Sequence, residues 1–144
     1  MTIKGLNNLI RKINSLGGNS QKALEKGIKK ATIHVQGDAK NLAPEDDGTL
    51  RNSIRAKTVN KGDVIEGTVG TNLFYGPYVE FGTGQRGAGS PAPPKAPISL
   101  NYRQDWAGME AQPFLYPALM QNKENVKKIV ADELREEIRK LGGS

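Results

Sequence analysis

Residues 54–69 read IRAKTVNKGDVIEGTV, and this stretch decides the fold class of the chain. It contains two β-type runs, 54–59 and 64–69, joined by the turn-forming residues Asn60-Lys61-Gly62-Asp63. In each run apolar side chains alternate with polar ones, so one face of the hairpin meets solvent and the other needs cover. The stretch therefore predicts an antiparallel hairpin packed against helices.

Helical periodicity precedes the hairpin. A first amphipathic helix is predicted over residues 3–16, because apolar residues recur at helical spacing until Gly17-Gly18 ends the run. A second is predicted over residues 20–42, beginning after Asn19 or Ser20 and stopping at Ala43-Pro44. Its expected buried arc comprises Leu24, Ile28, Ala31, Val35, Ala39 and Leu42.

Shorter elements flank the hairpin. Gly48 permits a tight turn, after which Thr49 begins a helical turn through Ser53 that includes Leu50. Residues 74–81 hold four aromatic rings and are predicted to form a short helical turn or strand. Residues 84–97 are rich in proline and glycine and are predicted to form no regular element.

A final helix is predicted from near Pro117 to Leu141. The order of elements indicates an α+β fold, in which a small antiparallel sheet, the hairpin plus an additional strand, packs against N-terminal and C-terminal helices. The length of 144 residues fits a single domain over residues 1–144, with a long Pro/Gly-rich loop at about 82–112.

Composition excludes several kinds of site. The chain has no cysteine and one histidine, His34, so it has no disulfide, no thiolate nucleophile and no cysteine zinc site. No cofactor and no bound metal are expected. We find neither a signal-peptide run nor a stretch of roughly 20 apolar residues. Synthesis and folding in the cytoplasm are therefore expected, and no contact with a membrane is expected.

The net charge of +6 is concentrated near the N-terminus, because residues 1–42 carry eight basic and two acidic side chains. On the second helix Lys22, Lys26, Lys29 and Lys40 fall opposite the apolar arc. This lysine face is either solvated or subunit-facing, or it faces DNA. The acidic run 45–47 is predicted to be a solvated turn, and the alternative is a Mg²⁺ site of a nuclease.

Seven of the eight aromatic side chains lie between residues 74 and 114, beside the long loop. Aromatic groups of this kind are more often core than ligand site, yet next to a long loop they also suit a protein-docking surface. Glu80 is either a capped structural carboxylate or an intersubunit ion-pair partner. The candidate assembly residues are Tyr75, Tyr78, Glu80, Phe81, Trp106 and Phe114.

A series of short motifs runs along nearly the whole chain in a fixed order. They are Gly5-Leu6 with Leu9, the run 39–44 (AKNLAP), the run 48–54 (GTLRNSI), the run 69–72 (VGTN), the run 75–84 (YGPYVEFGTG) and the run 108–119 (GMEAQPFLYPAL). In this order the sequence resembles the small tail-component family of lambdoid and related siphophages, the gene-product-ten-like proteins. It departs from the shorter members of that family in a longer insertion over residues 84–107.

The resemblance implies a structural virion protein without enzymatic activity, acting in tail assembly or head–tail joining at the neck or tail top. It implies a homo-oligomeric ring, a fold similar to tail terminators, and contacts with head-closure, tail-terminator or tail-tube proteins and in passing with DNA. Its motifs include Gly48, Leu50, Ser53, Gly82, Pro113 and Pro117 as turn and fold residues. The alternative is a small basic DNA-binding protein that uses the lysine face.

Overall fold

The computed structural model describes residues 19–44, 48–62, 64–91, 93 and 101–141. The predicted first helix, the acidic run 45–47, Asp63 and the prolines at 94 and 97 lie outside the described residues. The described elements are α1 (Asn19–Leu42), α2 (Gly48–Ser53), β1 (Arg55–Asn60), β2 (Ile65–Gly70), α3 (Gly76–Phe81), α4 (Gly84–Gly89), α5 (Leu115–Gln121) and α6 (Lys123–Leu141).

The α+β class is confirmed. Strands β1 and β2 pair as a two-stranded sheet and lie within one residue of the predicted runs. The additional strand is not present among the described residues, where a single isolated antiparallel bridge joins Thr83 to Met109. Two residues are too few to extend a ladder, so the sheet consists of the hairpin alone.

The predicted bounds of α1 are confirmed to within one residue. The helix ends at Leu42 because Pro44 disfavours helical backbone in the residue before it. The expected buried arc is confirmed at Ile28, Ala31, Val35 and Ala39, and Leu24 is half-buried. The prediction for Leu42 is wrong, since its side chain is exposed. It is the last residue of the helix, where the small side chains of Ala39 and Ala43 make the buried contact.

The chain divides into two compact units, one formed by residues 1–35, 56–69 and 122–144 and the other by residues 36–55 and 70–121. We call them unit 1 and unit 2. The single domain over residues 1–144 stays a prediction.

In unit 1 the hairpin packs against α1, and α1 also packs against α6. Gly67 of β2 lies against α1, where an added Cβ would overlap Thr32 Oγ1 and lie 3.1 Å from Ile28 Cγ2. Gly27 lies against α6, where an added Cβ would lie 3.1 Å from Val130 Cα. Glycine therefore allows close packing at both contacts. The buried hydrophobic residues of unit 1 are Ala23, Ile28, Ala31, Val35, Ile65, Val126, Val130, Ala131 and Leu134.

Unit 2 packs short helices around Phe114, whose side chain is fully buried. The prediction that residues 84–97 form no regular element is wrong at its start, because Gly84–Gly89 is the helix α4. Tertiary hydrogen bonds hold this glycine-rich segment helical: the Gln85 and Arg86 N–H groups donate to the carbonyls of Trp106 and Ala107, each at 2.9 Å. Helix propensity is a weak term that such contacts override.

The single final helix is also a wrong prediction, because α5 begins at Leu115 and the helix breaks at Asn122 before α6. The Asn122 carbonyl accepts the Val126 N–H at 2.8 Å, the first bond of a new helical ladder. Asparagine is among the preferred residues at the position before a helix. After the break the predicted stripe residues Val126, Val130 and Leu134 are buried, whereas Leu119 before it is half-buried.

None of the helices in the described ranges combines the length and the apolar composition that a bilayer span requires.

We predict that Gly67→Ala lowers the free energy of unfolding by about 1–3 kcal/mol, since the new methyl group overpacks the contact with α1. The Thr32 side chain cannot easily move aside, because its hydroxyl donates to the Ile28 carbonyl at 2.6 Å. Urea unfolding followed by circular dichroism measures the change.

Gly70→Ala in the same strand is the matched control, because an added Cβ there meets nothing within 4 Å. It should change the free energy of unfolding by less than about 0.5 kcal/mol. Equal losses in the two variants would show that glycine is not required for packing at residue 67.

Candidate functional site

The candidate site lies in unit 2, where the chain that follows α4 returns along the segment between α3 and α4. The Thr83 N–H donates to the Met109 carbonyl at 2.8 Å, and the Met109 N–H donates back to the Thr83 carbonyl at 3.0 Å. The Gln112 N–H donates to the Val79 carbonyl at 2.8 Å. Residues 106–112 are therefore fixed to residues 79–85 by backbone bonds, which do not depend on side-chain identity.

Gly82 makes this pairing possible. Its φ of 76° is in the left-handed region, which residues with a Cβ rarely adopt. An added Cβ would also lie 2.6 Å from the Met109 carbonyl oxygen and 2.7 Å from the Ala111 nitrogen. Gly108, on the opposite side of the bridge, has a φ of 69°. Gly82 thus belongs to the site's frame, as the family-like motif around it implied.

Four large apolar side chains on or near this frame are exposed to solvent. Phe74 is 83% exposed and Tyr78 55%, both before the paired segments, and Trp106 is 52% and Met109 42% exposed, both on the returning segment. We call these four residues the aromatic surface. Exposed single apolar residues are ordinary, whereas a group of exposed large apolar residues is a candidate interaction site.

The predicted assembly residues fall into exposed, half-buried and buried groups. Tyr78 and Trp106 belong to the aromatic surface, and Tyr75 and Phe81 are half-buried. The Phe74 and Tyr75 rings meet edge to face, with centroids 5.4 Å apart. Phe114 is fully buried and Glu80 is 4% exposed, so both lie inside unit 2 and away from its surface.

Glu80 is a structural carboxylate. Its Oε1 accepts the Phe114 and Leu115 N–H groups at 3.0 and 2.8 Å, and its Oε2 accepts the Tyr116 N–H at 3.1 Å. These N–H groups lie at the beginning of α5, where a helix leaves donors without intrahelical partners. The carboxylate also faces the positive end of the helix dipole. Glu80 therefore caps α5 from a position 34 to 36 residues earlier in the chain.

Phe74 and Met109 were not among the predicted assembly residues. Tyr78 lies in α3, which buries Val79 and Glu80, and Phe74 lies two positions before this helix begins. Helical spacing relative to the buried pair separates Tyr78 from the core, but it does not apply to Phe74. Met109 carries no comparable signal, because its exposure results from the bridge to Thr83.

The remaining fold-motif residues also have structural roles in unit 2. Gly48 begins α2, Leu50 is fully buried, and the Ser53 Oγ lies 2.6 Å from the Thr71 Oγ1. Pro113 precedes the buried Phe114 and Pro117 lies in the first turn of α5, where proline is tolerated.

The predicted lysine face is split between the units. Lys22, Lys26 and Lys29 are exposed in unit 1. Lys40 belongs to unit 2 and is half-buried, and its carbonyl accepts the Arg51 Nε–H at 2.9 Å.

Carboxylates of α6 partly neutralise the lysine face. Glu133 is 8% exposed, receives a hydrogen bond from Lys30, and lies 3.8 Å from the Lys26 Nζ. The hydrogen bond from Lys30 and the charges of Lys26 and Lys30 lower the pKa of Glu133, and partial burial opposes this. A shallow depression there is lined by Lys22, Ala23, Lys26, Glu133, Glu136, Glu137 and Lys140.

In the described ranges no group of three or more histidine, cysteine, aspartate or glutamate side chains is arranged to hold a metal ion. The acidic run 45–47, on which the nuclease alternative depended, lies outside those ranges.

In comparison with known proteins, a family model described as "Bacteriophage HK97-gp10, putative tail-component" matches residues 7–82, more than half of the chain. The match covers α1, α2, the hairpin and α3, and it ends at Gly82. No curated protein and no solved structure matches the chain. The expected likeness to tail-terminator folds stays a prediction.

We predict that Glu80→Ala lowers the free energy of unfolding by about 2–4 kcal/mol, because three backbone N–H groups lose a charged acceptor. Hydrogen exchange should accelerate at the amides of residues 114–116, and urea unfolding should show the loss in stability. Glu110→Ala, which removes an exposed carboxylate of the same unit, is the control and should change neither. Unchanged exchange in Glu80→Ala would mean that other groups cap α5.

We also predict a pH-dependent contribution from Glu133. Its pKa in the folded protein is below the ordinary value of 4.5, so its stabilising effect is complete above pH 4.5 and is lost as the pH falls through the lowered pKa. The difference in melting temperature between the wild type and Glu133→Gln should therefore be largest near neutral pH and shrink below pH 4.5.

Glu124→Gln is the control for this titration. Its carboxylate is exposed and lies 3.5 Å from the Lys127 Nζ, an arrangement that contributes little. A gap between wild type and Glu133→Gln that stays constant from pH 7 to pH 3 would contradict the predicted role of the ionised carboxylate.

Proposed function

The chain belongs to the HK97-gp10-like family of phage tail components, and from this premise we propose that it is a structural subunit at the neck or tail top of a long-tailed, sipho-type phage or prophage. In this role it acts in tail assembly or in joining the head to the tail. The family match over residues 7–82 carries the proposal. The location of the protein in the virion follows from family membership.

The aromatic surface supports a role in assembly. The exposed parts of its three aromatic side chains together provide on the order of 400 Å² of contact area. This is about half of the ~800 Å² that one partner contributes to a standard interface. Aromatic and methionine side chains are enriched at the centres of such interfaces. The partner is another copy of the chain or a neighbouring head-closure, tail-terminator or tail-tube protein.

We propose that the subunits form a closed ring. In a ring each subunit contributes two contacts, so that modest pairwise interfaces hold together jointly. A ring also surrounds the path that DNA takes between head and tail, and passing contacts with DNA are part of the proposal. The role is structural, and we expect no enzymatic activity.

The alternative of a DNA-binding module draws less support from unit 1. Binding to a phosphate backbone requires several cations free of competing carboxylates. Lys26 and Lys30 instead contact Glu133, and Lys22 borders the depression that Glu136 and Glu137 also line. The basic composition near the N-terminus is therefore weaker evidence for DNA binding than the sequence alone suggests.

Deletion of the gene from its phage, followed by complementation from a plasmid, tests the proposed function. Deletion should reduce the yield of infectious particles by several orders of magnitude and leave heads and tails unjoined or tails incomplete in electron micrographs. Complementation should restore the yield, and the protein should be found in purified particles at a constant ratio to the major tail protein. Normal yield and morphology after deletion, or particles without the protein, would overturn the proposal.

A further inference from the structure

We infer that the aromatic surface of one copy docks on a second, different face of the next copy, centred on Ile33 of α1. This inference rests on the proposed function and names the occupant of the aromatic surface. The contact joins unit 2 of one copy to unit 1 of another, and it is therefore head-to-tail.

Ile33 is an exposed apolar residue among the lysines of α1. It is 50% exposed, although an isoleucine on a solvated helix face would normally be replaced by a polar residue. At about 100° per residue its side chain lies in the middle of the lysine face, next to Lys29 and Lys30 at four and three positions earlier. The result is an apolar centre bordered by long cationic side chains, which we call the Ile33 face.

The Ile33 face and the aromatic surface are chemically complementary. Ammonium groups are attracted to the faces of tryptophan, tyrosine and phenylalanine rings. The methylene chains of lysine also pack on apolar surface while the charged ends stay in water. Lys29 is the cation best suited to this contact, because it has no carboxylate partner among the described residues.

Charge distribution favours contact between unlike units. The segments of unit 1 carry fifteen basic and eight acidic side chains, whereas the segments of unit 2 carry six basic and seven acidic ones. Two copies that met through their Ile33 faces would bring like charges together. Contact between unit 1 of one copy and the nearly neutral unit 2 of another avoids this repulsion.

Head-to-tail contact has a consequence for assembly. Each copy offers one aromatic surface and one Ile33 face, so every added copy leaves one of each free until the series closes on itself. A symmetric pairing of aromatic surfaces would stop at a dimer and leave the Ile33 face unused. The proposed contact therefore gives a partner both to the aromatic surface and to Ile33, and it accounts for ring growth.

The test uses two variants, each of which lacks one of the two faces. Phe74→Ser with Tyr78→Ser removes most of the aromatic surface, and Lys29→Glu with Ile33→Ser removes the centre of the Ile33 face. All four side chains are exposed, so folding should be preserved, and circular dichroism checks this. Met120→Ser with Lys128→Glu, which changes one exposed apolar and one exposed basic residue elsewhere, is the control.

Mass is then measured by light scattering over a range of concentrations. The wild type and the control should form the same closed oligomer, and each face variant should need at least about a tenfold higher concentration to associate. An equimolar mixture of the two face variants should give a species of two chains and no larger one, because a single competent pair of faces remains. Normal assembly of either variant, or a mixture that stays monomeric while the wild type assembles, would overturn the inference.

Cross-linking inside virions tests the contact independently of association in solution. The chain has no cysteine, so single-cysteine variants report one position at a time. Ile33→Cys and Tyr78→Cys, expressed together in the complemented phage, should form a disulfide-linked dimer under mild oxidation, whereas Lys128→Cys with Tyr78→Cys should not. Virions that contain both variants without the cross-link would sink the inference and leave the proposed function intact.

DNA binding provides the competing explanation for the Ile33 face. If the lysines served DNA, Lys29→Glu with Ile33→Ser would weaken the binding of duplex DNA at low salt, the wild type would stay monomeric, and virions would show no cross-link. That combination of results would overturn the inference in favour of DNA contact.

Discussion

The carboxylate of Glu80 is the interaction on which the candidate surface depends. Glu80 lies near the end of α3 and accepts hydrogen bonds from three backbone N–H groups at the start of α5. It therefore links the two ends of the segment 81–113, which carries Trp106 and Met109. Burying a carboxylate is costly unless its oxygens are satisfied, and here the donors are themselves unsatisfied helix N–H groups. One contact therefore satisfies both the buried carboxylate and the N–H groups of α5. Gly82 then lets the chain turn away from α3 and pair with Met109.

The fixed ends of this segment have consequences for binding. Closing more than thirty residues costs conformational entropy, and that cost is met during folding when the closure is part of the fold. Side chains on such a frame lose less freedom when a partner binds, which leaves more of the contact energy for affinity. The exposed ring of Trp106 thus occurs where preorganisation makes exposed apolar area most effective. Phe114 and Tyr102 hold the interior of the same region, Phe114 by burial and Tyr102 by a hydrogen bond to the Phe81 carbonyl at 3.0 Å.

Sequence predicted the elements whose signals are local. The alternation of residues 54–69 located the hairpin, and the stop at Pro44 located the end of α1, because side-chain period and proline sterics act within a few residues. It missed α4, whose glycines favour no helix and whose first N–H groups are satisfied by carbonyls about twenty residues later. It missed the break at Asn122 because the helical spacing of apolar residues from Leu119 to Val126 gives no sign of it. For Glu80 the pattern left two roles open, and only the position of α5 decides between them.

The lysine face shows why charge read from sequence is ambiguous. Four lysines on one side of a helix predict a cationic surface, but the partner that reduces it, Glu133, lies 103 residues away from Lys30 along the chain. Only the packing of α1 against α6, where Gly27 allows close approach to Val130, places that carboxylate beside the lysines. After this partial neutralisation the helix face presents Ile33 with Lys29 beside it. Such a face suits a protein partner that presents aromatic rings better than it suits a phosphate backbone. The lysine face that favours DNA in the sequence is therefore partly neutralised in the structure, and this reduces its suitability for a phosphate backbone.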